Sequence, residues 1–121
     1  MTQLSIIFLG TSGSWPTVKR NVSAIAIKRG SEILLFDCGE GTQHQLMKSP
    51  YKMSRISKLF ITHLHGDHIF GIPGFLTTRS NQGVETELTI YGPSGIQLFV
   101  ETALHVSGAH LNYPLHFKEV T

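Results

Sequence analysis

Within Ile61-Thr62-His63-Leu64-His65-Gly66-Asp67-His68 the chain gathers three of its seven histidines and one of its eight acidic residues. Neutral imidazoles and a carboxylate are ligands for a borderline divalent metal such as zinc. His63 and His65 are two apart, so extended backbone points them the same way. Gly66 allows a sharp turn, after which Asp67 and His68 are offered to a second position. One pair can hold one metal and the next pair another. Two metals roughly 3.5–4 Å apart can support an in-line displacement at phosphorus or carbon. A helix beginning here would add the partial positive charge of its N-terminus. A lone histidine is usually packing or hydrogen bonding. Three with an aspartate, at the end of an apolar strand, lack the partners that burial as core filler would need.

The set is incomplete. His63, His65, Asp67 and His68 shared between two metals leave each short of the three protein ligands usual for hydrolytic zinc. After His68 the acids are Glu85, Glu87, Glu101 and Glu119, with no aspartate and no second histidine cluster. The missing ligands are expected beyond Thr121. His44, His105, His110 and His116 are scattered and read as surface or supporting positions; His44 and His110 are the first candidates to touch the site.

Several elements must position this loop. Leu4–Leu9 reads as a strand, and Gly10-Thr11-Ser12-Gly13-Ser14 as a tight turn; it lacks the ending of a P-loop. Residues 21–28 alternate and Ile33–Phe36 is a continuous apolar run, together a hairpin whose second strand is buried. Asp37 ends that strand, where it is expected to accept hydrogen bonds from a neighbouring loop and hold it still. Thr42 is the expected N-cap of a short helix through Lys48. Cys38, flanked by Asp37 and Glu40, reads as buried filler rather than a nucleophile. Leu59–Thr62 is the strand that delivers the histidines. Ile69 to about Ser80 reads as a helix with an irregular first turn, and Leu88–Tyr91 as a strand. Ser94 is the expected cap of a helix with apolar Ile96, Phe99, Val100, Ala103 and Leu104 on one face, and Leu115–Val120 is a last strand. The order predicts an α/β fold with a mixed sheet: an antiparallel start, then βα units. The strand pattern still running at Thr121 suggests the front part of a larger domain.

Hydrophobic residues make up 40% and charged residues 15% of the 121, a globular rather than disordered composition. The net charge of +2 is too weak to imply nucleic acid by itself. Lys48, Lys52, Arg55 and Lys58 form a local basic cluster, read as a solvated face in preference to a phosphate contact. One cysteine excludes an internal disulfide and suits a reducing compartment. No apolar run approaches the roughly 20 residues needed to span a bilayer, and Met1-Thr2-Gln3 does not open a secretory signal. A cytoplasmic protein is expected, without membrane association.

The His-x-His-x-Asp-His pattern of residues 63–68 resembles the signature of the metallo-β-lactamase fold. Phe8-Leu9-Gly10-Thr11, Arg20-Asn21-Val22, Leu35 through Gln45 (with Asp37-Cys38-Gly39-Glu40-Gly41-Thr42-Gln43 at its centre), Gly71-Ile72-Pro73-Gly74 and Ile90-Tyr91-Gly92-Pro93 make the chain similar to the N-terminal part of the ribonuclease Z family. The resemblance implies that residues 1–121 are the N-terminal part of a single αββα sandwich domain. It implies that His63 and His65 bind one zinc, that Asp67 and His68 bind a second, and that Asp67 also accepts a proton from the attacking water. Asp37 would support the metal loop. The implied reaction is endonucleolytic removal of the 3′ trailer from precursor tRNA by metal-hydroxide attack on the phosphodiester, leaving a 3′-hydroxyl on the tRNA, in a cytoplasmic homodimer. The remaining metal ligands and the tRNA-gripping arm have no position in this chain, so the chain alone is expected to be nearly inactive. The alternatives are another hydrolase of the same fold acting on small esters or thioesters, and a non-catalytic truncated module.

Overall fold

The structure is a computed structural model that describes residues 4–10 and 23–120. Residues 11–22 lie outside it, and with them the turn expected after Gly10 and the Arg20-Asn21-Val22 stretch.

Six strands form one sheet in sequence order: β1 (Leu4–Gly10), β2 (Ala24–Arg29), β3 (Glu32–Phe36), β4 (Ile56–Phe60), β5 (Leu88–Pro93) and β6 (Leu115–Val120). The first two pairings are antiparallel and the next three parallel, as the hairpin followed by βα units predicts. The parallel crossovers carry α1 (Thr42–Met47), a single 3-10 turn (Met53–Arg55), α2 (Gly66–Ile69), α3 (Ile72–Asn81) and α4 (Ile96–Ser107).

A sheet whose strand order never reverses has a consequence for its two faces. Crossovers between parallel strands are right-handed, so successive ones fall on the same side. Ala24, Ala26, Ile33, Leu35, Leu59, Leu88 and Ile90 accordingly pack in one core with Leu46 of α1, Ile72, Phe75 and Leu76 of α3, and Ile96 and Val100 of α4. No described element covers the other face. There the cross-strand register runs Phe8–Ile25–Phe36–Phe60–Tyr91–Lys118 from edge to edge. The Phe36, Phe60 and Tyr91 rings stack at 5.0 and 4.8 Å, while Ile6 and Phe8 stand exposed. The run Ile33–Phe36, expected to be a buried strand, is buried on one face: Ile33 and Leu35 are enclosed, Leu34 and Phe36 only partly.

Three local expectations are corrected. The cap of α1 is Gly41 at φ 83°, not Thr42; Thr42 enters the first turn, and its hydroxyl donates to the Gly39 carbonyl at 2.6 Å. The cap of α4 is Gly95 at φ 106°, not Ser94. Its open N–H groups are met from β6, where Glu119 Oε2 accepts from Gly95 N and Gln97 N at 2.8 and 3.2 Å. The helix expected from Ile69 is two helices broken at Phe70–Gly71. The break follows from packing: a Cβ on Gly71 would lie 2.0 Å from the Gly39 carbonyl oxygen, so the chain passes there as bare backbone.

Candidate metal centre

The site is assembled where β3 and β4 end side by side. Asp37, the residue after β3, has φ 61° and is the single non-glycine residue at positive φ among those described. Such backbone costs about 1–3 kcal/mol, and its return is visible in the side chain. The turn aims the carboxylate across to the end of β4 while Asp37 N still donates to Phe60 O at 2.7 Å. Oδ1 accepts from Thr62 N at 2.8 Å. The Thr62 hydroxyl donates to the same carboxylate, 2.8 Å from Oδ2 and 3.0 Å from Oδ1. His68 Nδ1 reaches Oδ2 at 2.8 Å. The Asp37 side chain is 9% exposed, so these donors, not water, satisfy most of it. This is the supporting role expected of Asp37.

The hydrogen bonds fix two tautomers. A carboxylate oxygen only accepts, so His68 carries a proton on Nδ1, and the neutral ring leaves its lone pair on Nε2. The Thr62 hydroxyl has one hydrogen, which goes to Asp37. It can then only accept from His63 Nδ1, 3.0 Å away, which leaves His63 Nε2 free as well. A carboxylate holding the far nitrogen of a histidine is the arrangement that orients metal-ligating imidazoles. Thr62 was not singled out in the sequence; its signal was a hydroxyl residue directly between a strand and a histidine pair.

Backbone contacts lock the loop to the end of β3. Cys38 N donates to His68 O at 2.8 Å, Gly71 N to Cys38 O at 2.9 Å, and Gly39 N to Ser23 O at 3.0 Å. Burial pushes the Cys38 thiol up to about 12, with the neighbouring Asp37 charge adding to it and a Thr42 hydrogen bond opposing. This fits filler and not a nucleophile. The helix expected to lend its dipole is a single turn, Gly66–Ile69, too short for a substantial macrodipole.

Around this frame His63 and His65 are exposed, and Asp67 and His68 partly buried. The His63 ring lies 5.9 Å from that of His65 and 5.0 Å from that of His68, between centroids. Asp67 Oδ2 is 3.5 Å from His68 Nε2. The four residues thus share one loop and one open side. Among the described residues, no three His, Cys, Asp or Glu side chains close around a point that could hold an ion. The donor chemistry fits a divalent metal, with two bare Nε2 atoms and an adjacent carboxylate, but the shell is open. His116 instead pairs with Glu87 at 3.3 Å near the start of β5, and His105 lies in α4.

Residues 4–110 match the family model described as anti-Pycsar protein Apyc1. The ribonuclease Z of Lacticaseibacillus casei strain BL23 is 57% identical over 117 residues, which is 94% of this chain and 37% of that protein. Among solved structures, the short form of human tRNase Z superposes with a TM-score of 0.90 at 45% identity, covering 98% of this chain and 45% of that one. A metallo-β-lactamase fold protein of Bacillus subtilis matches at a TM-score of 0.69 and 23% identity, covering 97% of this chain and 46% of that one, a likeness of fold. The chain thus spans less than half the length of each of these relatives. It belongs to the family described as anti-Pycsar protein Apyc1, has a metallo-β-lactamase-type fold, and is similar over nearly all its length to the N-terminal part of ribonuclease Z.

Proposed function

We propose that this chain is the N-terminal part of a zinc-dependent endoribonuclease that removes the 3′ trailer from precursor tRNA, acting as a cytoplasmic homodimer with two ions per complete active site. The RNA substrate is supported by 57% identity to a protein named ribonuclease Z. The metal chemistry is supported by one observation above the others: Asp37 and Thr62 hold His63 and His68 by their Nδ1 atoms with both Nε2 atoms free.

In this reading His63 and His65 hold one ion, and Asp67 and His68 the other. Zinc would lower the pKa of an associated water to about 7 and offset charge gathering on a phosphoryl oxygen. Asp67 orients the attacking water and accepts its proton. Asp37 and Thr62 set the direction of two imidazoles and keep them in the ligating tautomer. The remaining donors come from the rest of the protein. Residues 1–121 form part of a single domain, and the bare row from Phe8 to Tyr91 is the surface on which a second sheet would close the sandwich.

The open donor shell favours a second reading for the chain by itself, a metal-loop module without activity. Both readings meet one experiment: metal content and precursor-tRNA cleavage by the 121-residue chain and by the whole protein that contains it. The expected result is cleavage by the whole protein, none when Asp67→Ala is introduced with most RNA affinity kept, and little activity or metal in the chain alone. Near wild-type cleavage by the Asp67→Ala protein would refute the assigned role.

A further inference from the structure

The fold divides the basic cluster that the sequence shows as one run. Lys58 is neutralised by Glu32 at 3.3 Å. Glu32 is held below the ordinary carboxylate range, first by the Ser57 hydroxyl and then by Lys58. Lys52 and Arg55 take no part in that pair. With Lys28 near the end of β2 they line a cleft of about 310 Å³ together with Gly30 and Ser31 of the β2–β3 turn and Tyr51. Two separate segments, β2 and the 3-10 turn before β4, therefore bring three cations to one concavity. No carboxylate lines it, and none of the three cations has an ion-pair partner among the described residues. All three are exposed. Mutual repulsion among them is uncompensated, which favours an anion in the cleft. The Ser31 hydroxyl adds an uncharged donor.

The cleft lies at the opposite end of β4 from the histidine loop. Seven residues of roughly 3.3 Å separate Arg55 from Thr62, so the two sites are roughly 20 Å apart. That is too far for the cleft to touch a phosphodiester at the metal centre, and a short distance along an RNA helix. We propose that the Lys28–Lys52–Arg55 cleft is a second phosphate-binding site that holds the RNA backbone remote from the cleaved bond. It rests on the RNA reading above and adds a grip within this chain to whatever the rest of the protein supplies.

The test is fluorescence anisotropy of a labelled RNA hairpin with a single-stranded 3′ tail, titrated at several salt concentrations. The chain carries Asp67→Ala throughout, so binding is read without chemistry. The Lys28→Gln/Arg55→Gln variant is expected to bind at least tenfold more weakly at low salt. Its log-affinity against log-salt slope should fall by about 1.4–1.8, from roughly 0.7–0.9 per phosphate lost. Lys52→Arg should bind within twofold of the parent. Lys118→Gln, which removes a cation beyond the far edge of the aromatic row, should do the same. An equal loss in Lys118→Gln would mean net charge alone and would overturn the site. So would an unchanged slope, or no RNA binding by the parent chain. Inorganic phosphate at millimolar concentration displacing all the RNA would make the cleft a small-anion pocket and overturn the backbone assignment. Failure of the cleavage reading appears separately, as a whole protein that binds this RNA through the cleft and leaves precursor tRNA intact.

Discussion

Strand β4 is held at each end by a buried charged residue, and the two do different work. At its start Arg79 of α3 is fully buried. It donates to Ile56 O at 3.0 Å, to Thr86 O at 2.9 Å and to the Thr86 hydroxyl at 3.1 Å. Its guanidinium lies 4.2 Å from the centre of the Tyr113 ring, whose hydroxyl donates to Leu76 O. No carboxylate pairs with it among the described residues, and burial lowers its pKa. At the other end Asp37 accepts from Thr62 and His68. Arg79 sits in relaxed helix and ties backbone to backbone. Asp37 sits in strained backbone and ties backbone to the exposed Thr62 and the partly buried, lone-pair-bearing His68. Burial of a charge is common to both, so burial does not separate the two ends; strain and open valence beside it do.

The contrast can be broken first at Arg79. Arg79→Met leaves two carbonyl groups without donors and should cost about 3–5 kcal/mol in urea unfolding, with no specific effect on metal binding once the protein is folded. Asp37→Asn should do the reverse. Asparagine tolerates positive φ, so the stability loss should stay near 1 kcal/mol, while metal affinity falls about 10–100-fold because the supporting carboxylate is gone. Equal stability losses for the two would erase the distinction. Thr62→Val removes the hydroxyl bridge alone and should cost about 1 kcal/mol, with a smaller drop in metal affinity than Asp37→Asn.

At neutral pH the last effect vanishes, and it appears only in alkali. Burial raises Tyr113 from 10.0 to about 12, partly opposed by Arg79, and raises Cys38 from 9.0 to about 12. Between those limits the unfolded chain loses protons that the folded chain keeps, so stability falls as pH rises. The contribution is complete below about pH 9 and is lost through about pH 12. Thermal melting across that range should decline less steeply in Tyr113→Phe than in the parent, and folded Cys38 should resist alkylation at pH 8. Rapid alkylation without unfolding would contradict its burial.

Much of the candidate site was legible because dense chemistry leaves a dense signal. Histidine spacing after an apolar strand, and an aspartate closing the neighbouring strand, are local patterns. The antiparallel start and the βα order followed from element order in the same way. What stayed hidden depends on contacts distant in sequence. Gly41 and Gly95 displaced Thr42 and Ser94 as caps because positive φ and a Glu119 carboxylate from β6 met the need. Gly71 broke the expected helix because the Gly39 carbonyl lies against it. Arg79, a residue type usually exposed, gave no sign of burial. Leu34 and Phe36 look like core residues in sequence, and only the unreversed strand order shows why one face stays open.

The measurement closest to the central claim is the tautomeric state of His68 and His63 by long-range ¹H–¹⁵N correlation at mildly alkaline pH, in the metal-free chain. Both rings should carry the proton on Nδ1 with Nε2 bare, and His68 should lose that preference in Asp37→Ala. Protonated Nε2 on either ring of the parent chain would contradict the account.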